Sequence, residues 1–238
     1  METALFVGPI IGCALLGLGV GISLASAVPD GSFRHRRPVI TLATGALFAA
    51  VAARFPPVET GGAAGRDAEG PAAVFELVAY LYLAAVSVAL AVIDLNTHRL
   101  PDAIVLPSCA VLVLMLGVLA ATTGDIGALA RAVTGGVVLC AAYLAMALAR
   151  PGGMGLGDVK LALLLGLALG HVGWGALVVG AFAAFLLGGV FAVALLAVRR
   201  ATRRTGIPFG PWMISGAWSG VFVGEWLWSG YLGVFQLA

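Results

Sequence analysis

Charge is what this 238-residue sequence lacks most: Asp, Glu, Lys and Arg together make up only 10% of it. A soluble domain carries about 25%, so there are too few polar groups to coat a water-soluble fold. The net charge is only +2, and no basic stretch is interleaved with aromatic residues. A nucleic-acid partner is thereby excluded. Disorder needs low hydrophobicity together with high net charge, and the chain has neither. Cysteine is also sparse. Cys13, Cys109 and Cys140 stand singly inside apolar runs, with no C-x-x-C pair. Zinc-ribbon ligation and a disulfide framework are excluded, and the three read as small buried hydrophobes. His35, His98 and His171 have no metal-site spacing, so neither a metal nor another cofactor is expected. No internal repeat is visible, which disfavours a transporter built from inverted halves.

What the sequence has instead is apolar length. Hydrophobic residues make up 61% and the mean hydropathy is +1.09. A membrane-crossing helix needs about 20 apolar residues for roughly 30 Å of hydrocarbon. Apolar runs cover 5–27, 38–53, 73–95, 103–121 and 126–149. The first lacks a basic leading segment and reads as a retained span, not a cleaved signal. From Leu161 to Val198 there is no Asp, Glu, Lys or Arg. As one helix that stretch would be about 57 Å long at 1.5 Å per residue, too long for one crossing. Gly170-His171-Val172-Gly173 is the natural break, predicting spans at 157–170 and 174–198. A last run covers 209–236. The expected fold class is all-α: a polytopic integral membrane helical bundle of about eight transmembrane helices, forming one domain over 1–238. The 34 glycines suit close helix packing in lipid.

Orientation follows from the positive-inside rule. With the N-terminus outside, the inner connections hold Arg34, Arg36, Arg37, Arg99, Arg150, Lys160, Arg199, Arg200, Arg203 and Arg204. The outer side holds only Arg54, Arg66 and Arg131. Two carboxylates then fall at the cytoplasmic edge, although neither entered the orientation argument. Asp94 closes the third span in Val92-Ile93-Asp94-Leu95, and Asp158 opens the sixth in Gly155-Leu156-Gly157-Asp158-Val159-Lys160.

Charge at membrane depth is costly and marks functional candidates. Two carboxylates close together do not readily ionise together, so the pair can share a proton. The ionised partner then activates water, while the protonated one polarises a carbonyl or protonates a leaving amine. Such chemistry is that of aspartic peptidases and needs no metal. A plainer reading of Asp158 is a helix N-cap, and Asp94 could simply end a span. Asp102, after Leu100-Pro101, reads as a cap or supporting group. Gly152, Gly153, Gly155 and Gly157 make a poor phosphate cradle, because no G-K-[ST] follows. Their better use is close approach of a substrate strand to the aspartate. Lys160 is either a membrane-edge anchor or a group that acts on Asp158 or on substrate. Glu76 and Glu225 fall towards the outer side, where pairing with a neighbouring helix is the expectation.

Gly153-Met154-Gly155-Leu156-Gly157-Asp158-Val159-Lys160-Leu161 resembles the GxGDxK signature of the type IV prepilin peptidases, membrane aspartic proteases of the GxGD kind. Ile93-Asp94-Leu95 with Leu100-Pro101-Asp102 is similar to the family's other aspartate motif. Ile207-Pro208-Phe209-Gly210-Pro211 resembles its IPFGP segment, and Gly31-Ser32-Phe33 with Arg37-Pro38 is similar to a segment after the first span. The three principal motifs stand in the family's order, and the motif-bearing core runs over about 76–215. The resemblance implies that Asp94 and Asp158 are catalytic, with Gly155, Gly157, Lys160 and Asp102 in substrate-binding or supporting roles. It also implies a bacterial inner-membrane peptidase that cuts the basic leader from prepilins or pseudopilins on the cytoplasmic side. Many members also methylate the new N-terminus, using an insert with two C-x-x-C pairs. Here the corresponding connection, Val28–Arg37, is short and has no cysteine, so a peptidase-only form is expected. The rival reading is a proton- or cation-coupled transporter using the same two aspartates, which calls for carboxylates near the bilayer midplane.

Overall fold

The computed structural model of the protein describes residues 2–27, 37–57, 70–149, 154–198 and 208–235. Among the described residues every regular element is helical. The helices are α1 (Glu2–Ala27), α2 (Arg37–Arg54), α3 (Pro71–Thr97), α4 (Asp102–Thr123), α5 (Ile126–Ala149), α6 (Leu156–Val172) and α7 (Trp174–Ala197). They are followed by α8 (Gly210–Ser219), a π-helical segment (Gly220–Gly224) and α9 (Glu225–Val234), which run on as one rod. The eight rods match the eight predicted spans to within three residues at each end. Helices α1 to α5 and α7 are long and apolar enough to cross a membrane. Helix α6 has 17 residues, about 25 Å at 1.5 Å per residue. The fold is thus that of an all-α, multi-pass membrane protein.

The chain divides into two compact units, Met1–Ala89 with Met115–Gly124, and Leu90–Leu114 with Asp125–Ala238. In the first unit α1 and α2 lie almost backbone to backbone. A Cβ added at Gly21 would come 2.7 Å from the Thr41 Cα, and one at Gly17 would come 2.7 Å from the Phe48 Cβ. Phe55 and Tyr80 stack in the same unit, with ring centroids 4.1 Å apart.

The second unit is knit by small residues, because lipid offers helices no hydrophobic drive to associate and close van der Waals packing must supply it. Helix α5 meets α6 at Gly135 and Gly136, where a Cβ at Gly166 would come 2.8 Å from the Gly135 carbonyl oxygen. Helix α7 meets the last rod through Ala176, Gly180 and Ala184 against Gly216, Gly220 and Gly224. One residue in four on the last rod is glycine over that contact, so its backbone lies directly on α7.

The predicted break falls at Gly173, between α6 and α7. Both helix ends there are capped by charges from elsewhere in the unit. Arg131 Nε donates to the Gly170 carbonyl at 3.1 Å and its Nη2 to the His171 carbonyl at 3.2 Å. Glu225 Oε1 accepts the Ala176 N–H at 2.9 Å. A cation on the carbonyl end of α6 and an anion on the amide end of α7 both complement the helix dipole and occupy backbone groups that helices leave unpaired. Glu225 therefore pairs with a neighbouring helix, as its position in the sequence suggested.

Candidate active site

The candidate site is assembled from four helix ends, all in the second unit. Asp94 stands in the last turn of α3 and is 4% exposed. The helix stops just after it. His98 donates its backbone N–H to the Asp94 carbonyl at 2.9 Å and takes a left-handed conformation, φ 52°. Such a residue ends a helix in the manner usual for glycine. Leu100 then turns inward, and Pro101 accepts the backbone N–H groups of Ile104 and Val105 as α4 begins. Asp102 stands at the head of α4, where its Oδ2 pairs with Lys160 Nζ at 2.6 Å.

Asp158 lies in the first turn of α6. Its backbone N–H donates to the Gly155 carbonyl at 3.1 Å, and its Oδ2 accepts the Gly155 N–H at 3.3 Å. The carboxylate is therefore not the N-cap itself. It reaches back over the first turn, as the third residue of a capping box does, through a long bond to one of its two oxygens. The pair Lys160–Asp102 ties the start of α6, which carries Asp158, to the head of α4, just after Asp94. Among the described residues no cluster of three or more His, Cys, Asp or Glu could hold a metal ion.

The two glycines of the sixth-span motif differ. A Cβ on Gly157 would come 3.0 Å from the Leu100 Cβ, so α6 lies there against the α3–α4 connection. Among the described residues, a Cβ on Gly155 would meet nothing nearer than Asp158 Oδ2 at 3.6 Å. Room for an approaching chain therefore exists at Gly155, whereas at Gly157 it is filled by Leu100.

Two participants had not been singled out from the sequence. Gly210, the first residue of α8, donates its N–H to Asp94 Oδ2 at 3.0 Å in a buried bond spanning 116 positions. Tyr143 of α5, 2% exposed, lies within electrostatic range of Asp158. Its ring packs in a cluster with Phe185 and Phe209, at centroid separations of 5.4 and 6.4 Å. Gly210 belongs to the Ile207–Pro211 segment already noted, but nothing in that segment tells which helix end it meets. Tyr143 carries the only phenol in α5, a signal that gains meaning only beside Asp158. Gly31-Ser32-Phe33, Gly152, Gly153 and Ile207 lie outside the described residues, as do most of the basic residues used for orientation.

Residues 81–193 match the Type IV leader peptidase family. Among curated proteins, a prepilin leader peptidase/N-methyltransferase of Pseudomonas putida is 39% identical over 142 residues, covering 58% of this chain and 46% of the relative. Its namesake from Aeromonas salmonicida is 35% identical over 160 residues, 65% and 52% of the two chains. That of Burkholderia pseudomallei strain K96243 is 34% identical over 196 residues, 79% and 55%. The chain spans about half the length of the curated relatives it matches. No solved structure matches it.

Proposed function

We propose, from the match of residues 81–193 to the Type IV leader peptidase family, that the chain is an aspartic endopeptidase cleaving the leader of a prepilin or pseudopilin, with Asp94 and Asp158 as its catalytic pair. What supports the reading is that these two carboxylates, 64 positions apart in sequence, stand at the ends of α3 and α6, which are held together by Gly157 against Leu100 and by Lys160 on Asp102. Their place at helix ends also speaks against the transporter, which calls for a site near the bilayer midplane.

In this mechanism one carboxylate is ionised and the other protonated. The ionised group takes a proton from water as the oxygen attacks the scissile carbonyl carbon, and the protonated group hydrogen-bonds to the carbonyl oxygen. Collapse of the tetrahedral intermediate breaks the C–N bond, and a carboxyl proton passes to the departing amine. Gly155 supplies the open approach for the substrate backbone. Lys160 and Asp102 act as a supporting pair beside Asp158.

We read the pair as lying on the cytoplasmic side of a bacterial inner membrane with the N-terminus outside, a reading supported by the positive-inside distribution. The relatives' names join a peptidase to an N-methyltransferase. In this chain the connection at Val28–Arg37, most of it outside the described residues, has no cysteine, and we read a peptidase without the methyltransferase. Co-expression with a prepilin from the same genome tests the proposal. The expected result is a substrate mass reduced by that of its leader, with no added methyl group. A substrate left at full length in the presence of membrane-inserted wild type would overturn it.

A further inference from the structure

The hydrogen-bond accounting of the first turn of α8 leads to Gly210. A helix begins with backbone N–H groups that have no partner within it. Pro211 has no N–H to offer, and Trp212 and Met213 already donate to the Phe209 carbonyl at 3.0 and 3.1 Å. Gly210, the first residue of the helix, still has a free donor, and its N–H meets Asp94 Oδ2 at 3.0 Å in a buried setting. An amide N–H at a helix start facing a carboxylate is electrostatically favourable.

The missing side chain matters equally. A Cβ on Gly210 would stand 2.6 Å from Asp94 Oδ2 and 3.2 Å from its Cγ. Those atoms belong to a carboxylate that is itself buried, so it has little freedom to withdraw. Gly210 is helical, and alanine is otherwise the better helix former. No backbone demand for glycine exists here, which leaves the carboxylate as the reason for it. The turn is held from behind by the Phe209 ring, packed on Phe185 at 5.4 Å and on Tyr143 at 6.4 Å.

We propose that Gly210 is a positioning residue for the proteolytic site, fixing the Asp94 carboxylate by its N–H and by its lack of a side chain. The inference rests on the peptidase reading for its consequence and on the Gly210–Asp94 contact alone for its geometry. Displacing a reacting group by about 1 Å costs on the order of 100-fold in rate. Gly210→Ala is therefore expected to lower kcat by roughly 10- to 100-fold, with KM nearly unchanged. Gly216→Ala is the control. Its Cβ would meet the Ala184 backbone nitrogen on α7 and not an aspartate. It should reduce the amount of folded protein, with little effect on kcat per folded molecule.

A double-mutant cycle in Tm, measured on detergent-solubilised protein, gives a readout independent of cleavage. Gly210→Ala should lower Tm in the wild type and by less than half as much in an Asp94→Ala background, where the opposing carboxylate is gone. Equal losses of Tm in the two backgrounds would overturn the proposal, as would wild-type kcat in Gly210→Ala. If the wild type cleaves no prepilin, the peptidase reading fails, while a coupled cycle would still support Gly210 as the residue that holds Asp94.

Discussion

Lys160 Nζ lies 2.6 Å from Asp102 Oδ2, tying the first turn of α6 to the head of α4 across 58 positions of sequence. The lysine follows Asp158 by two residues, yet its partner is the aspartate of the Leu-Pro-Asp segment. Both side chains are partly exposed, 34% for Lys160 and 58% for Asp102. Such pairs contribute at most about 1 kcal/mol. Lys160→Ala and Asp102→Ala should therefore each leave the protein folded and lower cleavage by only a few-fold. The charge-swapped double variant Lys160→Asp with Asp102→Lys should recover most of the loss. Equal activity in the single and swapped variants would show that the lysine acts on substrate and not through Asp102.

The two glycines before Asp158 separate by kinetic parameter. Gly157→Ala sets a Cβ 3.0 Å from the Leu100 Cβ, so Leu100 and the first turn of α6, which carries Asp158, must part by a few tenths of an ångström. A fall in kcat on the order of tenfold is expected, in line with the cost of sub-ångström misplacement. Gly155 has extended dihedrals, φ −79° and ψ 149°, which any residue adopts. Gly155→Val should fold normally and instead raise KM by crowding the approach. Steady-state cleavage of a prepilin peptide by both variants checks the separation.

At the α6–α7 junction a purely structural outcome is expected. Glu225 accepts the Ala176 N–H and Arg131 donates to the last carbonyls of α6. Removing a helix-capping group costs about 1 kcal/mol. Glu225→Ala and Arg131→Ala should each lower Tm, while cleavage per folded molecule stays at the wild-type level. A change in kcat would tie this end of the helices to the chemistry.

Much of the fold was legible because hydrocarbon imposes one rule, a run of about 20 apolar residues per crossing. Length required a break in the long uncharged stretch, and the glycines of Gly170-His171-Val172-Gly173 showed where it falls. The two aspartates stood out because a charge beside an apolar run is rare and costly. What sequence could not supply was partnership. That Gly210 would lie on Asp94, or Lys160 on Asp102, depends on helices packed through Gly135, Gly166 and Gly216, and glycine spacing does not name its partner. The room assigned to Gly157 was likewise occupied by Leu100, a contact set by how the α3–α4 connection returns. The division into two compact units also left no mark in a sequence that is apolar throughout.

The central claim is that Asp94 and Asp158 together perform the cleavage. The most direct measurement is the mass of a co-expressed prepilin beside wild type, Asp94→Ala and Asp158→Ala, each at matched membrane levels. The account predicts leader removal by the wild type and a full-length substrate with either variant. A substrate still processed by either variant would contradict it and remove that aspartate from the mechanism.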